Sequence, residues 1–268
     1  MVISTIGVMR GLQECASSRG TMTILAVDHR QNLRRLLGND PASVPDGALI
    51  EFKRQVVRGL SSEATGVLLD PEFGVCQCIE DGSLPGDVGL IVALEATGYD
   101  GLPSARVSRI LDGWSVQEAR RIGASAVKLL LYHHPEALTA DAQERLLEQV
   151  VTDSAQSGLA LFVEGLTHPI THGAPLVGVE RRRVVVASAR RLSAIGGDVL
   201  KVEFPGDPRV EDPVEWSDAC AELDEAIGRP WVLLSAGASP DVFLRQAEAA
   251  CRAGASGGCI MSQHAAAV

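Results

Sequence analysis

Eight short apolar runs, each rich in β-branched residues and most followed by a stretch with helical spacing, constrain this 268-residue chain more than any other feature. They cover residues 21–28, 65–70, 89–95, 126–132, 159–164, 199–204, 231–235 and 257–261. Each is close to continuously apolar, as strands buried on both faces are. Amphipathic helical patterns fall at 31–37 with 48–60, 116–122, 140–157, 179–195, 215–227 and 240–253, and a short helix is expected at 6–18, ahead of the first strand. Strands alternating with helices pair in parallel through helical crossovers. Eight such units in 268 residues predict a single-domain (β/α)8 TIM barrel over residues 1–268, with its active site at the C-terminal strand ends. An open doubly wound sheet would place a glycine-rich turn after its first strand, and Asp28-His29-Arg30-Gln31 offers none. The sequence stops at Val268, just after the eighth run, so the pattern predicts a barrel lacking its closing eighth helix. The apolar wall left open would be covered by association, and a homo-oligomer is expected.

Charge and composition narrow the partners. A net charge of −10 opposes nucleic acid and anionic membrane surfaces, both of which require a basic footprint. No run approaches the ~20 apolar residues of a spanning helix, so a cytoplasmic protein is expected. The six cysteines are scattered in a chain of ordinary size, which suits reduced thiols better than a disulfide framework. Cys76 and Cys78 form C-x-C with no matching second pair.

The basic residues divide unevenly. Only Lys53, Lys128 and Lys201 are lysines, against 21 arginines, and two of the three sit inside strand-like runs. An ammonium placed in an apolar run is paired, snorkelling, or retained for chemistry. Arginine cannot lose its proton, whereas a desolvated lysine can, and its amine can attack a carbonyl to form a Schiff base. Lys201, within Asp198-Val199-Leu200-Lys201-Val202-Glu203-Phe204, is therefore the candidate nucleophile. The structural alternative is an ion pair with Glu164 or Glu203.

Polar residues at the other strand ends complete a constellation on one face: Asp28, His29 and Arg30, Asp70 and Glu72, Glu95, Lys128, Glu164 with His168, and Ser235. A second ammonium at Lys128 together with burial is expected to lower the Lys201 pKa from about 10.4 toward neutrality. Glu164 ends an apolar run, which is expected to raise its pKa into the range of a general acid–base. Asp70, before Pro71, reads as a cap or turn. The three tryptophans read as packing. The histidines (29, 133, 134, 168, 172 and 264) fall near strand ends, but none forms H-x-H or H-x-x-x-H on one strand or helix, and no metal or other cofactor is expected.

Several stretches carry a likeness. Ala26-Val27-Asp28-His29-Arg30, Leu68-Leu69-Asp70-Pro71-Glu72-Phe73-Gly74, Ala126-Val127-Lys128-Leu129-Leu130-Leu131-Tyr132, Val163-Glu164, Leu200-Lys201-Val202-Glu203-Phe204-Pro205 and Trp231-Val232-Leu233-Leu234-Ser235-Ala236-Gly237 resemble the class I tagatose-1,6-bisphosphate aldolases. The related sulfofructosephosphate aldolases share much of this pattern. The resemblance implies Lys201 as the Schiff-base lysine, Glu164 as the acid–base carboxylate, and Lys128 and Asp28 as the polar pair flanking them. It implies His29 and Arg30 as substrate contacts, and Ser235 and Gly237 as part of a phosphate-holding loop. The substrate implied is a small phosphosugar cleaved to dihydroxyacetone phosphate and an aldehyde.

Two departures stand out. The family usually carries glutamine where this chain has His29, and an arginine in strand eight where it has Ser262. A missing guanidinium removes charge-assisted hydrogen bonds worth roughly 1.5–3 kcal/mol each, so a weaker grip on a bisphosphate is expected. That leaves two other readings: a barrel that binds sugar phosphates without turning them over, and a metal-dependent barrel lyase built on the histidines.

Overall fold

A computed structural model of the chain describes residues 3–97, 102–171, 175–207, 210 and 212–261. Its eight strands are β1 (Met22–Ala26), β2 (Gly66–Leu69), β3 (Gly89–Ala93), β4 (Ala126–Tyr132), β5 (Ala160–Leu166), β6 (Val199–Val202), β7 (Trp231–Leu234) and β8 (Gly257–Met261). Each pairs in parallel with the next, and β8 pairs with β1, closing the TIM barrel. The helices are α1 (Ile3–Glu14), α2 (Gln31–Leu37), α3 (Asp46–Leu60), α4 (Val75–Glu80), α5 (Val116–Arg121), α6 (Ala140–Ser157), α7 (Gly178–Ile195), α8 (Pro213–Ile227) and α9 (Pro240–Ala253). Every expected strand is present. The helix not foreseen is α4. Residues 262–268, and with them Ser262 and the expected absence of a closing helix, lie outside the described residues.

Strand alternation sorts the side chains into two cores. Ile24, Ala26, Leu68, Ile91, Ala93, Ala126, Ala160, Phe162, Val199, Val232 and Cys259 fill the barrel interior. Leu25, Val67, Leu69, Val127, Leu129, Leu161, Val163, Leu200 and Leu233 pack outward in the helix-facing core. Alanines on β1, β3, β4 and β5 leave the interior room for Phe162, whose loss to alanine would cost about 3–5 kcal/mol.

The N-terminal mouth of the barrel is closed by α1. Val8, Leu12, Cys15 and Ala16 pack against the interior cluster. The approach is close enough to require glycine: a Cβ on Gly11 would stand 2.0 Å from the Ser125 carbonyl oxygen. With that end stoppered, the cavity of the barrel opens at the C-terminal strand ends.

Candidate active site

The same alternation that fills the lower barrel with alanine and valine lifts charge into its upper layer. On β4, Ala126 is followed two residues on by Lys128. On β5, Phe162 is followed by Glu164, and on β6 Val199 by Lys201. Register pairs Glu164 with Lys201, while Lys128 stands between Ala93 on β3 and Phe162 on β5, one inward position below Glu164. The next inward positions, Leu130, Leu166 and Leu234, line a cleft of about 320 Å³ together with Asp28, His29, Arg30, Asn32, Glu95, Tyr132, Glu164, Lys201, Ala236 and Gly237.

Two ammoniums and three carboxylates form the floor. Lys201 Nζ donates to Glu164 Oε1 at 2.7 Å. Lys128 Nζ lies 2.8 Å from Asp28 Oδ2 and 3.1 Å from Glu164 Oε2, and donates a short hydrogen bond to Glu95 Oε1. Glu95 is held on its other side by the backbone N–H of Leu130 at 3.1 Å, and its carbonyl accepts from Arg30 Nη2 at 2.7 Å. Arg30 Nη1 reaches Glu72 at 2.7 Å. Among the cleft residues, Asp28 Oδ1, His29 Nδ1, Arg30 Nε and Glu164 Oε2 are buried without a hydrogen bond among the described residues, Asp28 Oδ1 and His29 Nδ1 lying 4.0 Å apart.

This charge balance reverses two expectations. Burial by itself would lower the Lys201 pKa, but the fields of Cys259, Glu164 and Asp28 outweigh burial and the Lys128 ammonium, and the amine titrates above the ordinary lysine value. The Cys259 thiol is itself pushed up to about 11 by burial, so at neutral pH the carboxylates are the anions that count. Burial would likewise raise Glu164, yet Lys128 and Lys201 draw it below the ordinary glutamate value. Lys128 is held well above its usual value: burial opposes its charge, and Asp28, Glu164 and Glu95 overcome that. Asp28 is pulled well below the carboxylate range against its burial, chiefly by Lys128. His29 is lowered by burial and stays neutral at pH 7. The resting site is thus a closed ion-pair network instead of a free amine beside a protonated acid.

The remaining candidates are dispersed. Gly237 lines the cleft at φ 79, next to Ala236 at φ 46, a conformation costing a non-glycine residue about 1–2 kcal/mol. Ser235 is buried at the end of β7, and the cleft is lined by the residues on either side of it. Glu203 turns to Thr167, whose N–H and hydroxyl donate to it at 2.7 and 2.6 Å, and to Arg181. Asp70 acts as the expected turn cap, accepting from the N–H groups of Glu72 and Phe73 at 3.0 and 2.8 Å.

His133 pairs with Glu144 at 3.0 Å, and the His134 and His168 rings lie 5.9 Å apart between centroids, tilted by 39°. Neither these three histidines nor the two sequence-adjacent cysteines line the cleft. Among the described residues no group of three or more His, Cys, Asp or Glu side chains is arranged to hold a metal ion. His172 and His264 lie outside the described residues.

Glu95 and Glu72 were visible in the sequence as strand-end carboxylates, but their roles were not. Only closure of β3 against β4 shows that Glu95 reaches Lys128.

The family model for DeoC/LacD aldolases matches residues 22–261, which spans all eight strands. The chain belongs to the DeoC/LacD aldolase family. The aldolase is 30% identical over 255 residues to the tagatose 1,6-diphosphate aldolase of Streptococcus agalactiae serotype V, covering 87% of this chain and 76% of the relative. It is 29% identical over 265 residues to the enzyme of that name from Staphylococcus aureus, covering 91% and 79%. Its barrel is similar to that of a Schiff-base-forming fructose-1,6-bisphosphate aldolase, with a TM-score of 0.66 at 22% identity over 94% of this chain and 90% of the other. It is similar also to that of a fructose-bisphosphate aldolase from Slackia heliotrinireducens, with a TM-score of 0.71 at 17% identity over 98% and 81%. At these identities the two structural likenesses bear on the fold.

Proposed function

We propose that this aldolase cleaves a phosphorylated ketose reversibly through a Schiff base on Lys201. The observation that carries the reading is the 2.7 Å contact between Lys201 Nζ and Glu164 Oε1 on the floor of the cleft. An amine that starts protonated needs a base within one hydrogen bond, and Glu164 is that base.

The ammonium of Lys201 passes its proton to Glu164 as the C2 ketone of the substrate enters. The free amine attacks C2 to give a carbinolamine. Glu164 returns its proton to the departing hydroxyl, water leaves, and an iminium remains. Glu164 then takes the proton of the C4 hydroxyl, the C3–C4 bond breaks, and its electron pair flows into the iminium to form an enamine. The C4 fragment departs as an aldehyde. Protonation of the enamine at C3 and hydrolysis release dihydroxyacetone phosphate and the amine.

Asp28 and His29, which line the cleft, are the groups offered to substrate hydroxyls. Arg30 has both terminal nitrogens engaged and contributes its Nε–H, and the Ser235–Gly237 loop supports the phosphate end. The relatives named as tagatose 1,6-diphosphate aldolases support a tagatose 1,6-bisphosphate-like substrate; a sulfofructose phosphate-like one has the same reacting atoms.

Among the described residues no helix is long and apolar enough to cross a membrane, and the reading places the enzyme in the cytoplasm. We further propose a homo-oligomer, on the ground that Leu138, Val179, Val214 and Leu244 are large apolar side chains left exposed; a monomer in sedimentation at assay concentration would overturn it.

Borohydride trapping with dihydroxyacetone phosphate, followed by peptide mapping, tests the chemistry. A reduced adduct on Lys201 that is absent in Lys201→Ala is the expected result. A folded native chain with no adduct on any lysine would overturn the Schiff-base reading.

A further inference from the structure

We propose that Glu95 is a positioning residue that fixes Lys128 as a permanent ammonium while Glu164 changes its own charge. The proposal rests on the Schiff-base reading above and adds a role to a residue that the retro-aldol chemistry does not itself call for.

An ammonium has three N–H bonds, and three carboxylates surround that of Lys128: Asp28, Glu95 and Glu164. They are not equivalent. Glu164 shares its other oxygen with Lys201 and must gain and lose a proton in every turnover. Asp28 lines the cleft and its second oxygen accepts no hydrogen bond among the described residues, so it is placed to meet the substrate. Glu95 alone is tied at three points: one oxygen to Lys128, the other to the Leu130 N–H, and its carbonyl to Arg30, which is itself anchored on Glu72. It is also 96% buried, with 4% of its surface exposed.

The consequence follows from charge. When Lys201 hands its proton to Glu164, Lys128 loses one of three counter-charges while fully buried, and an uncompensated buried ammonium would follow the proton acceptor or give up its own proton. Glu95 prevents both, because its ties to Lys128, the Leu130 N–H and Arg30 keep it in place during the cycle. Held on Glu95, the Lys128 charge acts on Glu164 at constant strength. Without Glu95 the ammonium settles on Glu164 and Asp28, which then accept protons less readily.

The chain has three lysines, so a lysine-labelled sample gives three side-chain nitrogen resonances, each assignable by substitution. In Glu95→Gln the Lys128 Nζ signal is expected to lose its proton at lower pH than in the native chain, with Lys53 unmoved. The adduct with dihydroxyacetone phosphate still forms on Lys201, kcat falls about 10²-fold with KM within about threefold, and the acid limb of the kcat profile moves to lower pH. A second comparison removes any doubt over folding of the single variant. Lys128→Met and Lys128→Met/Glu95→Gln are measured together, and the added glutamine is expected to cost less than about threefold, because Glu95 acts through the lysine that is gone.

An unchanged Lys128 titration in Glu95→Gln, or a full 10²-fold loss on adding it to Lys128→Met, overturns the proposal. Failure of the native chain to trap substrate would sink the Schiff-base reading instead, and the Lys128 titration would still decide whether Glu95 holds it.

Discussion

Two buried lysine–carboxylate pairs in this barrel have similar ingredients and opposite character. Lys53 on α3 donates to the Val27 carbonyl at 2.6 Å and closely to Asp70, whose second oxygen is already taken by two backbone N–H groups. Both residues have no exposed surface, and neither lines the cleft. Lys201 and Glu164 are buried almost as deeply, but they face a cleft in which Asp28, His29 and Arg30 still carry unpaired atoms. Burial and charge are common to both. What separates them is what they face: Lys53 and Asp70 are closed against backbone groups, and Lys201 and Glu164 line a cleft with room for a substrate.

The contrast breaks most sharply at the lysines. Lys201→Ala is expected to lower kcat by at least ~10⁴-fold with the melting temperature little changed, read by steady-state cleavage beside a thermal scan. Full retention of cleavage would erase the distinction. Glu164→Gln should lower kcat by about 10²–10⁴-fold and slow the appearance of the borohydride adduct, since the base next to the amine is gone.

Lys53→Met moves the other observable. Removing one partner of a buried pair costs about 3–5 kcal/mol, or about 10 °C in melting temperature for a chain of this size, while activity per folded molecule is retained. Lys53→Met/Asp70→Leu should recover much of that loss, because no orphaned charge is left.

The smallest effect sharpens the comparison by pH. His133, His134 and His168 are buried and titrate below the ordinary histidine value, chiefly through desolvation. A group with a depressed folded pKa binds its proton first in the unfolded chain, so stability falls as pH drops below about 6.5. The loss ends once pH passes the folded values. Denaturant melts between pH 7.5 and 5 should show a loss of about 1–2 kcal/mol, and His168→Asn should flatten the slope.

Much of this was legible in one dimension. The eight apolar runs set the strands almost to the residue, because a strand buried on both faces cannot tolerate polar interruption. Lys201, Glu164 and Lys128 stood out for the same reason: each violates the pattern that surrounds it. What the sequence could not express was who balances whom. Lys128 lies 33 residues from Glu95 and 36 from Glu164, and only barrel closure ranks these neighbours. The pKa directions expected for Lys201 and Glu164 failed on that point: Glu164 and Asp28 act on Lys201, and both ammoniums act on Glu164. The burial of Lys53 went unread because it sits on a helix whose other residues read as an ordinary amphipathic surface.

The placement of the lysines also makes the protein chemically quiet. All three are at most 3% exposed, and the surface carries its positive charge on arginine. Amine-reactive dyes, crosslinkers and resins therefore meet no side-chain amine on the folded molecule, and a lysine-specific protease finds no bond to cut. Cleavage at Lys53 would then report opening of the structure without a label.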